Sequence, residues 1–219
     1  MPVIAIIGAG QGLGLAIAKL FGGNGFKVAL LSRAPSKLEP LLAELAKDGI
    51  EAAAFAADVT DRASVASGLA AVKERFGAVD VLEYSPSNPS LPQARASEIS
   101  HDILQPWLDF QLHGAIAAAG AVLPDMLARG SGTILVTTGA SSVHPGAGHP
   151  AFAAAGVAMG ALRNWAHALH SDVKDRGVQV GHVAIGAFIG QTPETTADRI
   201  APLYWELHMQ RDQVEKVFH

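Results

Sequence analysis

The stretch Val3 to Leu20, VIAIIGAGQGLGLAIAKL, restricts what this chain can fold into more than any other. An apolar, β-branched run is followed by Gly8, Gly10, Gly12 and Gly14, and then by apolar residues at helical spacing, Ala16, Ile17 and Leu20. The order strand, glycine loop, helix is that of a phosphate-holding βα unit. Backbone N–H groups and the positive end of the helix attract an anion, and residues without a Cβ let a pyrophosphate approach closely. The spacing is not Gly-x-Gly-x-x-Gly, whose third glycine would fall on Leu13 or Leu15; what fits is Gly8-x-x-x-Gly12-x-Gly14.

Similar units follow down the chain. Gly22, Gly23 and Gly25 end the first helix, and Lys27 to Leu31 is a second apolar run that ends at Ser32-Arg33. Residues 35–48 carry Leu38, Leu41, Leu42 and Leu45 on one helical face. Glu51 to Ala57 reads as a third strand ending at Asp58-Val59, with Thr60 and Asp61 placed to cap a helix running to about Phe76. Val79 to Tyr84 is a fourth strand, followed by a proline- and serine-containing loop. Residues 101–128 form a long helix, Gly132 to Thr138 a fifth strand, 139–150 a loop, 151–171 a small-residue helix, and Val178 to Ile185 a sixth strand. After the loop 186–202, the last residues, YWELHMQRDQVEKVFH, read as one helix, leaving no sequence for a seventh strand. Strands alternating with helices predict a parallel sheet covered on both faces. The fold expected is α/β, a single domain over 1–219 with a doubly wound parallel sheet of six strands.

Composition narrows the partners. The chain of 219 residues is 49% hydrophobic and 16% charged with a formal net charge of -4, which speaks against a polyanion-binding surface, so nucleic acid is not an expected partner. It has no cysteine, which removes disulfides, thiolate nucleophiles and thiolate metal sites. The start, MPVIAIIG, lacks a basic segment and turns into the glycine loop long before the ~20 apolar residues a membrane span needs. A cytoplasmic protein with no membrane association is expected. His144 and His149 lack a third partner in sequence, so no metal site is expected.

With Gly8-x-x-x-Gly12-x-Gly14 following the first strand, the chain resembles the short-chain dehydrogenase/reductase family, over residues 3 to about 192. The resemblance implies a Rossmann-like fold, a nicotinamide dinucleotide held by Gly8, Gly10, Gln11, Gly12, Leu13 and Gly14, and a homodimer or homotetramer through helices 101–128 and 151–171. At the end of the second strand, where a carboxylate would bind the ribose of NAD, stand Ser32 and Arg33. A guanidinium is a forked, permanently charged partner for the 2′-phosphate, so NADP(H) is favoured over NAD(H). Asp58 and Val59 match the family's Asp-Val that meets the adenine, although Asp58 equally suits a helix-capping turn. The family's Asn-Asn-Ala-Gly is replaced by Tyr84-Ser85-Pro86-Ser87. Gly186 and Thr192 match residues that contact the nicotinamide amide, while Ile185 replaces the usual proline.

The reaction half departs further. The family pairs a proton-transferring Tyr with a Lys four residues later, a Ser thirteen residues earlier, and an Asn on the preceding helix. Tyrosine alone titrates near pH 10, and the lysine cation brings it into a useful range. Aligning the fifth strand and the helix beyond it puts Gly139 at the Ser, Phe152 at the Tyr and Gly156 at the Lys, and Gln111 replaces the Asn. Shifting the register does not rescue the set: Ser141 or Ser142 offers a hydroxyl, but Tyr84 and Tyr204 are the only tyrosines, and no lysine lies between Lys73 and Lys174. Two function classes follow, an NADP(H)-binding protein without the standard chemistry, and a divergent oxidoreductase whose proton comes from His144, His149, Tyr84 or Tyr204, with His113 a further candidate; a purely structural subunit fits the glycine loop less well. Phe188, Ile189, Leu203, Tyr204 and Trp205 suggest an apolar lid over 187–205 and a small apolar substrate or ligand.

Overall fold

In the computed structural model, residues 1–146 and 148–219 are described; Ala147, within the loop read over 139–150, lies outside them. The strands are β1 (Val3–Ile7), β2 (Lys27–Ser32), β3 (Ala52–Ala56), β4 (Val81–Tyr84), β5 (Gly132–Gly139), β6 (Val178–Ile185) and β7 (Glu215–Phe218). They form one sheet in the order β3-β2-β1-β4-β5-β6-β7, and every neighbouring pair is parallel.

The expectation of six strands is therefore corrected to seven. The last helix stops at Gln210, Arg211 takes a left-handed conformation at φ 56°, and the chain turns to lay Glu215–Phe218 beside His182–Ile185. A non-glycine residue in that conformation is uncommon, so the reversal carries no glycine signal. The Arg211 guanidinium fixes the turn by donating to the Gly132 and Gly177 carbonyls at 2.9 and 2.8 Å.

The helices are α1 (Leu13–Gly23), α2 (Glu39–Lys47), α3 (Arg62–Phe76), α4 (His101–Leu108), α5 (Gly114–Arg129), α6 (Ala153–Val173) and α7 (Ala197–Gln210). Because side chains alternate across a strand, each strand feeds two cores. Ala5, Ile7, Leu31, Tyr84, Val136 and Val180 face α3, α5 and α6. On the other side Ile4, Ile6, Leu30, Leu135 and Val183 face α1, α2 and α7. Asp61 caps α3 as expected, its carboxylate accepting from the Ala63 and Ser64 N–H groups at 2.9 and 3.3 Å.

Two elements depart from the sequence expectation in ways that bear on the site. The helix read over 101–128 is broken by a wide π-type turn at Asp109–His113, which contains Gln111; such turns recur at functional positions. Helix α7 begins at Ala197, inside the stretch read as a lid. Tyr204 is wholly buried, and Trp205 packs edge-on against Phe21 at 5.0 Å between ring centroids. Of the five apolar residues assigned to the lid, Phe188 and Ile189 are the exposed ones.

Candidate dinucleotide site at the β1 and β4 ends

The strand order reverses between the β1-β2-β3 half and the β4-to-β7 half, and ligands of such sheets bind in the crevice at that reversal, beyond the carboxyl ends of the strands. The glycine loop stands there. Gly8 has φ +95°, and a Cβ on it would lie 2.4 Å from Pro86 Cα, so both its backbone and its neighbour require glycine. The contact is reinforced by Ser85 N–H donating to the Ile7 carbonyl at 3.0 Å. A Cβ on Gly14 would come within 3.0 Å of Ala9 Cα, which lets the start of α1 fold tightly against the loop. Around Gly10 and Gly12, by contrast, a Cβ would meet no atom within 4 Å among the described residues. Gln11 and Gly12 are exposed, Leu13 is buried beneath them, and no side chain caps the N-terminus of α1. Open space, an uncapped helix start and a positive dipole end are the features an anion would need here.

The adenosine end is polar and mixed in charge. Arg33 is exposed at the end of β2, and the Ser32 hydroxyl accepts from the Ala34 N–H at 3.3 Å. Burial works to raise the Asp58 carboxyl, but the Thr60 N–H and hydroxyl at 3.0 and 2.7 Å, with Arg33 nearby, hold it below its ordinary value. Asp58 thus makes the turn that its sequence position allows. Val59 is buried in the core beside Gly114.

At the reaction end, Gly139 closes β5, Phe152 precedes α6 with its ring 40% exposed, and Gly156 lies one turn into the helix. A Cβ on Gly139 would meet Met159 Sδ at 3.5 Å, and one on Gly156 would meet Ser141 Oγ at 3.4 Å. Both glycine positions have room for a Cβ, with Ser141 Oγ 3.9 Å from the one at 139 and 3.4 Å from the one at 156. Gln111 is buried in the π-type turn. Gly186 donates its N–H to the Phe218 carbonyl at 2.8 Å, while Thr192 is exposed on the following loop, where its hydroxyl meets that of Thr195.

The substitute proton donors separate by burial. Tyr84 is buried, gives its hydroxyl proton to the Phe110 carbonyl, and is pushed upward in pKa by burial. Tyr204 lies on the opposite side of the sheet with its hydroxyl 2.6 Å from that of Thr137, and burial likewise raises it. His113 pairs with Asp109 at 2.8 Å. His144 and His149 are exposed; His144 stacks on His219, whose Cα stands 3.8 Å from where a Cβ on Gly186 would be.

Sequence reading passed over Glu83. It points into the α1 and α7 face from the middle of the sheet, wholly buried, accepting from Ser85 and Thr137 hydroxyls at 2.9 and 3.1 Å. Burial pushes its carboxyl up to about 8 against those two hydrogen bonds. An acidic residue inside the apolar run VDVLEY was the available signal, because unpaired buried carboxylates are rare.

Comparison with known proteins places this fold. Residues 2–199 match the model of the short chain dehydrogenase family. The chain is 31% identical over 211 residues to 2-(S)-hydroxypropyl-CoM dehydrogenase 3 of Xanthobacter autotrophicus, covering 91% of this chain and 80% of that protein. It is 29% identical over 199 residues to an uncharacterised oxidoreductase of Listeria monocytogenes, covering 90% and 78%. Among solved structures, an alcohol dehydrogenase of Thermococcus sibiricus complexed with 5-hydroxy-NADP superimposes with a TM-score of 0.83 at 25% identity, covering 100% of this chain and 96% of that one. A short-chain dehydrogenase of Rhodopseudomonas palustris gives 0.85 at 24% identity, covering 100% and 98%. Among the described residues no helix is long and apolar enough to cross a membrane.

Proposed function

Because the chain belongs to the short-chain dehydrogenase family, whose fold binds a nicotinamide dinucleotide, we propose that it binds NADP(H) in preference to NAD(H) and does not run the family's Tyr-Lys-Ser hydride-transfer chemistry. The observation that carries the second half is the joint loss at Gly139, Phe152 and Gly156: a phenyl ring has no proton to give, and a glycine cannot shift a neighbour's pKa. The first half rests on Arg33, an exposed guanidinium at the end of β2 with serine rather than a carboxylate beside it. The Thermococcus sibiricus enzyme, solved with an NADP derivative, is in keeping with that preference. Titration with NADPH and NADH tests the binding, and a panel of ketones and aldehydes with NADPH tests the chemistry; equal affinities, or turnover at rates ordinary for a dehydrogenase, overturn the corresponding half.

A second reading, a divergent oxidoreductase, is favoured by His144, whose ring stacks on that of His219, a residue with its Cα close to Gly186. An imidazole titrates near neutrality and is a competent proton donor. In either reading the chain acts as a cytoplasmic homodimer or homotetramer, packing through α4, α5 and α6. Val157, 49% exposed among the small residues of α6, is the side chain such contact would cover, and light scattering would measure the assembly.

A further inference from the structure

Away from the dinucleotide crevice, β7 meets β6 and α6 through four side chains. His182 and Glu215 are directly opposite partners in the parallel β6-β7 ladder, and Arg163 and His167, one turn apart on α6, reach down to them. Glu215 Oε2 lies 2.9 Å from His182 Nδ1, 3.0 Å from His167 Nε2 and 2.5 Å from Arg163 Nε, while Arg163 Nη2 stands 3.0 Å from Oε1. Three nitrogen atoms thus converge on one oxygen, more than its two lone pairs accept well.

The protons of His182 sharpen the point. Its Nε2 is 2.7 Å from Thr138 Oγ1, and that hydroxyl is also 2.7 Å from Ser142 Oγ and 3.2 Å from the Gly139 carbonyl. The carbonyl can only accept. The hydroxyl's shorter contact is with His182 Nε2, and when Thr138 donates there His182 Nδ1–H donates to Glu215; on giving up that hydrogen, Nδ1 would present its lone pair beside Glu215 Oε2 and His167 Nε2, the three ligand atoms lying within 4.8 Å of one another.

We propose that His182 Nδ1, His167 Nε2 and Glu215 Oε2 are the ligands of a divalent transition-metal site of the zinc class, which fastens the edge strand β7 to β6 and α6. Two imidazoles and a carboxylate are a common zinc set with a fourth position left for water, and His167, one third exposed, gives that position an outlet. Thr138 supplies the outer hydrogen bond that fixes the ring of a ligating histidine. Bonds of about 2.0–2.1 Å in tetrahedral array separate neighbouring ligand atoms by roughly 3.3 Å, so the two spacings to Glu215 Oε2 need to open by only about 0.3–0.4 Å, and all three ligand atoms already lie within 4.8 Å of one another. Arg163 Nε would yield Oε2 to the metal, and Nη2 would keep its hold on Oε1. A cation so close opposes the metal, which makes Arg163 the regulator of affinity.

The test uses the full chain, stripped with chelator and titrated with zinc chloride alone, and with cobalt(II) for its visible spectrum. One equivalent taken up, a melting temperature that rises with zinc concentration by mass action, and a four-coordinate cobalt spectrum are expected. His167→Gln, at a helix position one third exposed, should weaken uptake by more than the about 10–100-fold that loss of an outer partner costs, and should remove the thermal shift. Arg163→Gln should tighten binding. His182→Asn is the second variant. Circular dichroism and dinucleotide binding retained in His167→Gln separate ligand loss from misfolding. Absence of saturable uptake in the wild type, or uptake unchanged in both histidine variants and so located at others of the nine histidines, overturns the site.

Discussion

Gly156 and Ser141 stand so that a Cβ built on the glycine would lie 3.4 Å from the serine Oγ, an ordinary contact that leaves the position open to a side chain. Gly139 is as free, and Phe152 needs only a hydroxyl on an exposed ring to become tyrosine. The triple variant Gly139→Ser, Phe152→Tyr, Gly156→Lys is therefore expected to fold and, with NADPH, to gain carbonyl reduction of about 10²–10⁴ over the wild type, the usual share of positioned acid–base catalysis. Steady-state oxidation of NADPH against a ketone and aldehyde panel measures it. A correctly folded, NADPH-binding triple variant without any gain would mean that Gln111, Pro86 and Ile185 have reshaped the nicotinamide end as well.

Arg33 carries the prediction on cofactor choice. A charge-assisted contact to the 2′-phosphate contributes ~1.5–3 kcal/mol, or roughly ten- to a hundredfold in affinity. Arg33→Ala should weaken NADPH by that factor and leave NADH nearly unchanged. Fluorescence titration of both cofactors checks it, and an equal loss for the two would assign Arg33 to general electrostatics.

Gly8 should be the least replaceable glycine of the loop. Alanine there must adopt φ +95° and bring a Cβ within 2.4 Å of Pro86 Cα, whereas alanine at Gly10 meets open space. Gly8→Ala is expected to cost about 1–3 kcal/mol from backbone conformation alone, with more from the clash, and Gly10→Ala well under that. Urea unfolding separates stability from binding: Gly10→Ala should keep the fold and lose dinucleotide affinity if the ligand occupies that space.

Much of this architecture was legible because the periodicity is clean. The first three βα units, the capping Asp61 and the glycine loop each carry a local signal, and each stands where it was expected. What escaped depended on tertiary placement. EKVF is four residues with two charges, entered through Arg211 rather than a glycine, and its β character comes from pairing with His182 to Ile185. Tyr84 and Tyr204 look alike as candidate donors until the sheet assigns them to opposite faces, one spent on the Phe110 carbonyl and the other on Thr137. Whether a glycine admits a side chain also depends on distant residues: Ser141 and Met159 leave room at Gly156 and Gly139, and Pro86 leaves none at Gly8.

The last prediction concerns Glu83. Its carboxyl is raised from an ordinary 4.5 to about 8 because the folded chain surrounds it with apolar atoms, two hydroxyls and no cation. Folding therefore holds the proton more tightly than the unfolded chain does. Below about pH 4 both states are protonated and the group is neutral in effect. As pH rises from there, the unfolded state releases its proton first and stability falls, until ionisation of the folded carboxyl near 8 ends the decline. At about 1.36 kcal/mol per pH unit, the wild type should lose roughly 2–3 kcal/mol between pH 6 and pH 9. Glu83→Gln keeps partners for Ser85 and Thr137 without the titration, so its stability over that range should be flatter by the same amount. Urea unfolding at pH 6, 7, 8 and 9 measures both proteins. Parallel curves would mean that the charge of Glu83 is compensated in the folded state, and a wild type that gains stability with pH would reverse the assigned direction.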